Sequence, residues 1–160
     1  MILTPHAIVG ASISSVFKLS PFTALIAGFV SHFILDMIPH FDYKLRSTRI
    51  EPDKTLDGDI VIDKTFLADL VIMGIDFAIG FSLSWLFFVF TGVVPASVAL
   101  AGAMGGVLPD ALQFVYYKFG RHYLRPLQSF HMKAHSKTRI KDPIKGTLSY
   151  TLIITLALVI

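Results

Sequence analysis

The sequence predicts an all-α fold: a polytopic membrane bundle of about five helices with a polar site at one membrane face. Three observations predict it. The 160-residue chain is 54% hydrophobic with a mean hydropathy of +0.67, too apolar for an ordinary soluble domain. Two of its apolar segments reach the ~20 residues needed to cross the hydrocarbon core of a bilayer. Its histidines and aspartates recur at the ends of apolar segments, where ionisable groups are costly and usually functional.

The elements follow in order. Two shorter apolar segments come first, about Thr4 to Phe17 and Pro21 to Ile38, divided by Lys18, Leu19 and Ser20. Pro21 suits a first helical turn, where its missing N–H costs nothing. Met1 to His6 carries no Lys or Arg and no cleavage site follows, so the first segment is expected to be retained. The long segments run from about Thr65 to Thr91 and from about Pro95 to Tyr117. The short link Gly92 to Pro95 makes them an antiparallel hairpin, with Trp85 available as an anchor. In the second of them, Gly102 and Gly106 form a small-xxx-small pair that lets helix backbones approach closely. A fifth stretch, about Leu148 to Ile160, is short for a span and reads as a tilted, partial or truncated helix.

Residues 1–160 read as one membrane-embedded domain with polar loops at about 40–64 and 118–145. If the long hairpin crosses and returns, both loops lie on one side. That side holds every Lys and Arg except Lys18, and the positive-inside rule makes it cytoplasmic. The first two segments then form a short hairpin from the same face, crossing or re-entrant. The expected location is the cytoplasmic or inner membrane, with the site facing the cytoplasm.

Cysteine is absent, so any metal must be held by imidazole and carboxylate. His32 and Asp36 are four residues apart and project from one helix face; His40 and Asp42 follow just beyond Pro39. Such a group can bind one divalent metal or bridge two, most simply zinc, with manganese or magnesium as alternatives. In the hairpin arrangement His6 approaches the same face. Asp110 follows Pro109 inside the fourth segment and needs a partner there, a metal or a basic side chain. His131 and His135 repeat the i, i+4 spacing and would share a face of a short helix. Asp69 and Asp76, two turns apart in the third segment, face one way; Asp69 could join the site, whereas Asp76 is expected to sit deeper and to pair with a hydroxyl, a cation or another subunit. Arg121, His122, Arg125 and Lys133 make a basic patch that fixes topology and attracts anionic headgroups, with Arg121 and Arg125 as a possible phosphate clamp. No groove-reading or aromatic-interleaved motif supports nucleic acid as a partner.

Four motifs carry a resemblance: His6 with Gly10, the run Ser31-His32 with Leu35-Asp36, Gly106 with Pro109-Asp110, and His131 with His135-Ser136. Together they resemble the membrane-bound metal-dependent hydrolases of bacteria and archaea, which are similar to the zinc-dependent phospholipase C group. The resemblance implies His32 and Asp36 as core ligands, with His6, Asp110, His131 and His135 as further ones. The expected activity is hydrolysis of phosphoesters such as phospholipids, with a carboxylate not bound to metal, Asp42 or Asp69, as general base. Two other classes fit the residues: a divalent-metal transporter, whose ligands should line a path near the midplane, and a non-catalytic membrane scaffold. Membrane lipid is the expected partner, and a homo-oligomer is compatible with so few short helices.

Overall fold

A computed structural model describes residues 2–42, 44–50, 56–136, 138, 140 and 142–159. The fold is all-α. Its helices are α1 (Leu3–Val16), α2 (Pro21–Asp36), α3 (Lys64–Ser84), α4 (Ala96–Lys118), α5 (Arg121–Ala134) and α6 (Pro143–Val159). A π-helical turn, Trp85–Phe90, continues α3. Two two-residue strands, β1 (Thr48–Arg49) and β2 (Asp59–Ile60), pair antiparallel inside the first polar loop. The expected segments are all present, with two corrections. The helices described number six rather than about five, because α5 occupies the first half of a stretch read as loop, and the last helix begins at Pro143 rather than near Leu148. The basic positions Lys54, Lys137, Arg139 and Lys141 lie outside the described residues.

Local chemistry explains where the helices start. Ser20 Oγ accepts from the Thr23 N–H at 3.3 Å, with Pro21 in the first turn as its fixed φ favours. Asp63 caps α3, its Oδ1 accepting from the N–H groups of Thr65 (2.8 Å) and Phe66 (3.2 Å). Helix α1 has no local cap, since Ile2 precedes it. Its cap comes from 72 residues away: the Asp76 carboxylate accepts from the N–H groups of Leu3 and Thr4 and from Thr4 Oγ1. A buried helix end needs such an acceptor, and the helix dipole favours a negative one. The expected pairing of Asp76 with a hydroxyl is therefore met, and the bond also fixes α1 against the middle of α3.

Helix α4 is the centre of the bundle, packed by α1, α2, α3 and α5. The small residues expected to permit close packing do so. A Cβ at Gly102 would land on the Gly10 carbonyl oxygen and Ser14 Oγ, and one at Gly106 on the His6 carbonyl oxygen. The glycines thus set the height of α1 against α4, as the small-xxx-small pattern implies. Around them lies an apolar core that includes Ala7, Ile8, Ala99, Ala103, Val107 and Phe88. Further along α4, Tyr116 and Tyr117 pack with Ile60, Phe66, Phe114 and Leu124 in a second cluster, a cap built from the strand pair, the start of α3 and α5. Helix α5 folds back along α4, with Gln128 Nε2 donating to Tyr117 OH at 3.5 Å and Gln113 reaching Met132.

Two stretches, Lys64–Phe90 and Ala96–Lys118, are long and apolar enough to cross a membrane. The first buries little within the bundle: Leu67, Leu70, Val71, Ile75 and Ile79 are all exposed. A packing test follows. Gly102→Leu is expected to destabilise the fold by on the order of 1–3 kcal/mol or more through overpacking. Gly74→Ala, in open space on α3, should leave the midpoint unchanged or raise it, since alanine is the better helix former. Thermal unfolding in detergent reads both.

Candidate metal centre

Asp110 sits on α4 between the two apolar clusters, after Val107 and before Phe114. At that level three other helices deliver imidazole or carboxylate. His6 comes from the second turn of α1, His32 and Asp36 from the last turns of α2, and His131 from the end of α5. All five side chains are buried, His32 and Asp36 to within 1% of full burial. Their polar atoms converge. His131 Nε2 lies 2.9 Å from Asp36 Oδ2 and 3.7 Å from Asp110 Oδ1. His32 Nε2 lies 3.2 Å from Asp36 Oδ2, 3.4 Å from Asp110 Oδ1 and 3.2 Å from His131 Nε2. His6 Nε2 is 3.5 Å from Asp36 Oδ1, and its ring stacks on His32 at 4.2 Å between centroids.

The tautomer of His32 follows from its other nitrogen. Nδ1 is 2.7 Å from the Gly106 carbonyl oxygen, which can only accept, so Nδ1 carries the hydrogen. A neutral His32 then directs the Nε2 lone pair at the carboxylates and at a second imidazole. Lone pairs facing one another in a buried site need a proton or a metal cation between them. His40 repeats the device: its Nδ1 donates to the Ile38 carbonyl at 2.7 Å, leaving Nε2 beside Asp42 Oδ1 at 3.3 Å. Backbone carbonyls that hold Nδ1–H are the usual means of fixing a metal-binding imidazole.

His40, Asp42 and His135 form a second group joined to the first by Asp36. His135 Nε2 is 3.7 Å from Asp42 Oδ2, and the His40 and His135 rings lie 4.7 Å apart. Three sets offer ligand atoms mutually within 4.8 Å: His6–His32–Asp36, His32–Asp110–His131 and Asp36–His40–His135. The residues fit a divalent metal. Both Asp110 oxygens, Asp36 Oδ1 and His6 Nδ1 are buried without a hydrogen-bond partner, and among the described residues no Lys or Arg pairs with Asp36 or Asp110. Buried carboxylates of this kind are normally paired or bound to metal.

At the loop end of the site, electrostatics differ by residue. Burial alone would lower the His40 imidazole, but its hydrogen bond to Asp42 outweighs that and holds it above the ordinary histidine range. Burial would raise Asp42; the hydrogen bond from His40 instead holds it well below the usual carboxylate range. Burial dominates at His135 and pushes it down, toward the neutral form that binds metal.

The sequence-predicted residues thus divide. His6, His32, Asp36, His40, Asp42, Asp110, His131 and His135 are brought together. Asp69 is not: its Oδ2 accepts from the Ser47 N–H (2.8 Å) and hydroxyl (2.7 Å), and it fastens the polar loop to α3. Arg121 and Arg125 are exposed, ten and six residues before His131 on α5, hence about 15 and 9 Å along the helix axis from it. Arg121 donates to the Gly58 carbonyl at 2.6 Å, beside the Lys118–Asp59 ion pair at 2.8 Å. Its place is in the cap, not over the cluster. Sequence reasoning missed the Gly106 carbonyl and Tyr150, whose hydroxyl donates to the Phe41 carbonyl. The signal for Tyr150 is a lone polar ring in an apolar helix, one turn after Gly146.

Metal must displace protons from these imidazoles. Zinc affinity is therefore expected to fall as the pH drops, and because His40 holds its proton to higher pH than a free histidine, the fall should begin above the ordinary value near 6.5. Isothermal titration in buffers of different ionisation enthalpy measures the released protons; an affinity flat between pH 6 and 8 would contradict the assignment. No family model, curated protein or solved structure matches the chain, so the reading of this site rests on its own residues.

Proposed function

We propose that the chain is a membrane-embedded, metal-dependent hydrolase of phosphoesters, phospholipids among them, of the membrane-bound metal-dependent hydrolase type that its motifs resemble. The observation that carries this is the convergence of four helices on buried, uncompensated carboxylates and imidazole lone pairs. A structural polar cluster would be hydrogen-bonded to completion, and this one is not. Zinc is the metal best suited to nitrogen and carboxylate donors without cysteine.

The chain would hold metal in two positions. His6, His32, Asp110 and His131 surround one, His40 and His135 stand at the other, and Asp36 lies between. When bound, the metal lowers the pKa of a coordinated water and polarises the phosphoryl oxygen. The chain's own part is to orient and to move protons. Nδ1–H bonds to Gly106 and Ile38 keep His32 and His40 turned inward. With Asp69 committed to Ser47, Asp42, in the segment just after α2 and beside His40, acts as general base. Placement at the cytoplasmic boundary of the membrane belongs to the same proposal and is supported by the charge distribution of the sequence.

Purified protein is expected to carry zinc and to hydrolyse a phospholipid or a simple phosphodiester. Removal by chelator should abolish turnover, and zinc should restore it. The His32→Ala/Asp36→Ala double variant should lose most bound metal by plasma mass spectrometry. Asp42→Asn should lower kcat by about 10²–10⁴-fold, the range for a lost general base. Wild-type protein without metal after purification and zinc dialysis would end the proposal.

A further inference from the structure

The two halves of the cluster are built differently. His6, His32 and Asp110 stand on helices locked by close glycine packing and, for α1, by Asp76, and His131 stands on α5, which packs along α4. His40 and Asp42 stand on the strand-free segment after Pro39, and His135 on the residue that ends α5. Something other than helical geometry must fix that loop.

Three contacts do so. The segment after α5 runs beside the segment after α2, with the Ser136 N–H donating to the Asp36 carbonyl at 2.7 Å and the Ile140 N–H to the His40 carbonyl at 3.0 Å. Helix α6 then rises over the loop. Tyr150 OH donates to the Phe41 carbonyl, between the ligand residue His40 and Asp42, while the Tyr150 ring lies 6.4 Å from that of His40. One turn earlier Gly146 is buried against Phe41: a Cβ there would run into the Phe41 side chain. Tyr150 is itself buried at 8% exposure, in a helix that otherwise packs apolar residues such as Ala157 on α1.

We infer that Tyr150 is a positioning residue which, through the Phe41 carbonyl, sets the His40–Asp42 half of the metal centre and so makes the two metal positions independently adjustable. The inference rests on the two-position metal reading. It has a clear chemical logic. A peptide carbonyl flanked by a ligand and by the carboxylate hydrogen-bonded to it is the point at which one hydrogen bond controls both, because rotation of that peptide swings His40 and Asp42 together. The hydroxyl touches neither ligand, so its loss removes no donor to metal. The helix-borne half does not depend on it.

The test is equilibrium dialysis of the full-length, chelator-stripped protein against zinc, with bound metal measured by mass spectrometry and the unfolding midpoint of the stripped protein recorded in parallel. Wild type should bind zinc in two classes. Tyr150→Phe should weaken one class by about 10- to 100-fold, the usual cost of losing a group that orients ligands, and leave the other class and the midpoint unchanged. His135→Ala should weaken the same class, and His32→Ala the other. Gly146→Val, which displaces Phe41 while keeping the hydroxyl, should weaken the same zinc class, whatever it costs the midpoint through overpacking, and supplies a second, independent variant. Wild-type protein that binds no zinc would overturn the metal reading itself. Zinc binding in both classes that is identical in wild type, Tyr150→Phe and Gly146→Val, or equal weakening of both classes, would overturn the role of Tyr150 and leave the metal reading standing.

Discussion

Asp36 is the residue on which the arrangement turns. Its carboxylate is almost completely buried and lies within 3.5 Å of a nitrogen from three histidines, each carried by a different helix. An ionised carboxylate at such a place costs many kcal/mol unless it is compensated. A neutral imidazole offers it one N–H, as His131 Nε2 can at 2.9 Å, but full compensation would take protonated rings, and protonated imidazoles with nitrogens 3.2 Å apart repel one another. A divalent metal resolves both demands at once: it neutralises the carboxylates and accepts the imidazole lone pairs. With a metal bound, the polar core would be a unit joining α1, α2, α4 and α5 to one another.

That unit works only if the helices reach it at the right height. Two devices external to the cluster achieve this. Glycine contacts at Gly102 and Gly106 remove the side-chain layer between α4 and α1, so the α1 backbone comes within reach of α4 and His6 drops to the level of Asp110. Asp76 holds the first turn of α1 at that level by accepting its N–H groups. The carboxylate expected to lie deepest therefore helps to place the site without being a ligand. Asp69, nearer the polar end of α3 and for that reason the more obvious ligand, serves the loop instead. Depth along one helix is a poor guide to membership of a site formed by several, because their relative offsets are set by packing that no single segment encodes.

Much of this was legible in the sequence. The i, i+4 spacing of His32 and Asp36 is a purely local property of a helix, and the apolar residues around it marked those charges as deliberate. Glycine spacing on α4 announced the close approach. The union of His6, Asp110 and His131 with that pair followed from topology and charge asymmetry, and it held. Two things were hidden. Helix α5 reads as a basic loop because its polar and charged residues are many, yet Leu124, Gln128 and His131 recur at helical spacing on its inner face, and a single buried stripe suffices when a neighbouring helix lies against it. For the same reason Arg121 lies in the cap on the Gly58 carbonyl: a loop can bring its ends anywhere, whereas a helix holds them apart. The role of the Gly106 carbonyl was hidden because backbone acceptors have no signature in sequence.

The position of α5 also constrains where water begins. From Ala96 to Asp110, α4 rises about 21 Å, less than the roughly 30 Å of a hydrocarbon core. For a bilayer placed around α3 and α4, the cluster would then lie some 9 Å inside the boundary if the core began at Ala96. Yet α5 ends at the level of Asp110, and Lys133, two residues beyond the buried His131, is exposed there. A lysine can snorkel only a few ångströms. Arg121 and Arg125 are exposed further along the same helix, and the strand pair with its charged residues surrounds the end of α4. These groups require water or headgroups on the outer side of α5, while the inner side of the same helix closes the cluster. Both conditions are met where the polar boundary comes in to the level of His131, by local thinning or by tilt of the long helices. On the proposed function, a phosphoester headgroup in the interfacial layer would reach the site at that level, and the loop of His40 and Asp42, pinned by the Ser136 and Ile140 N–H groups and by Tyr150, would have to admit it.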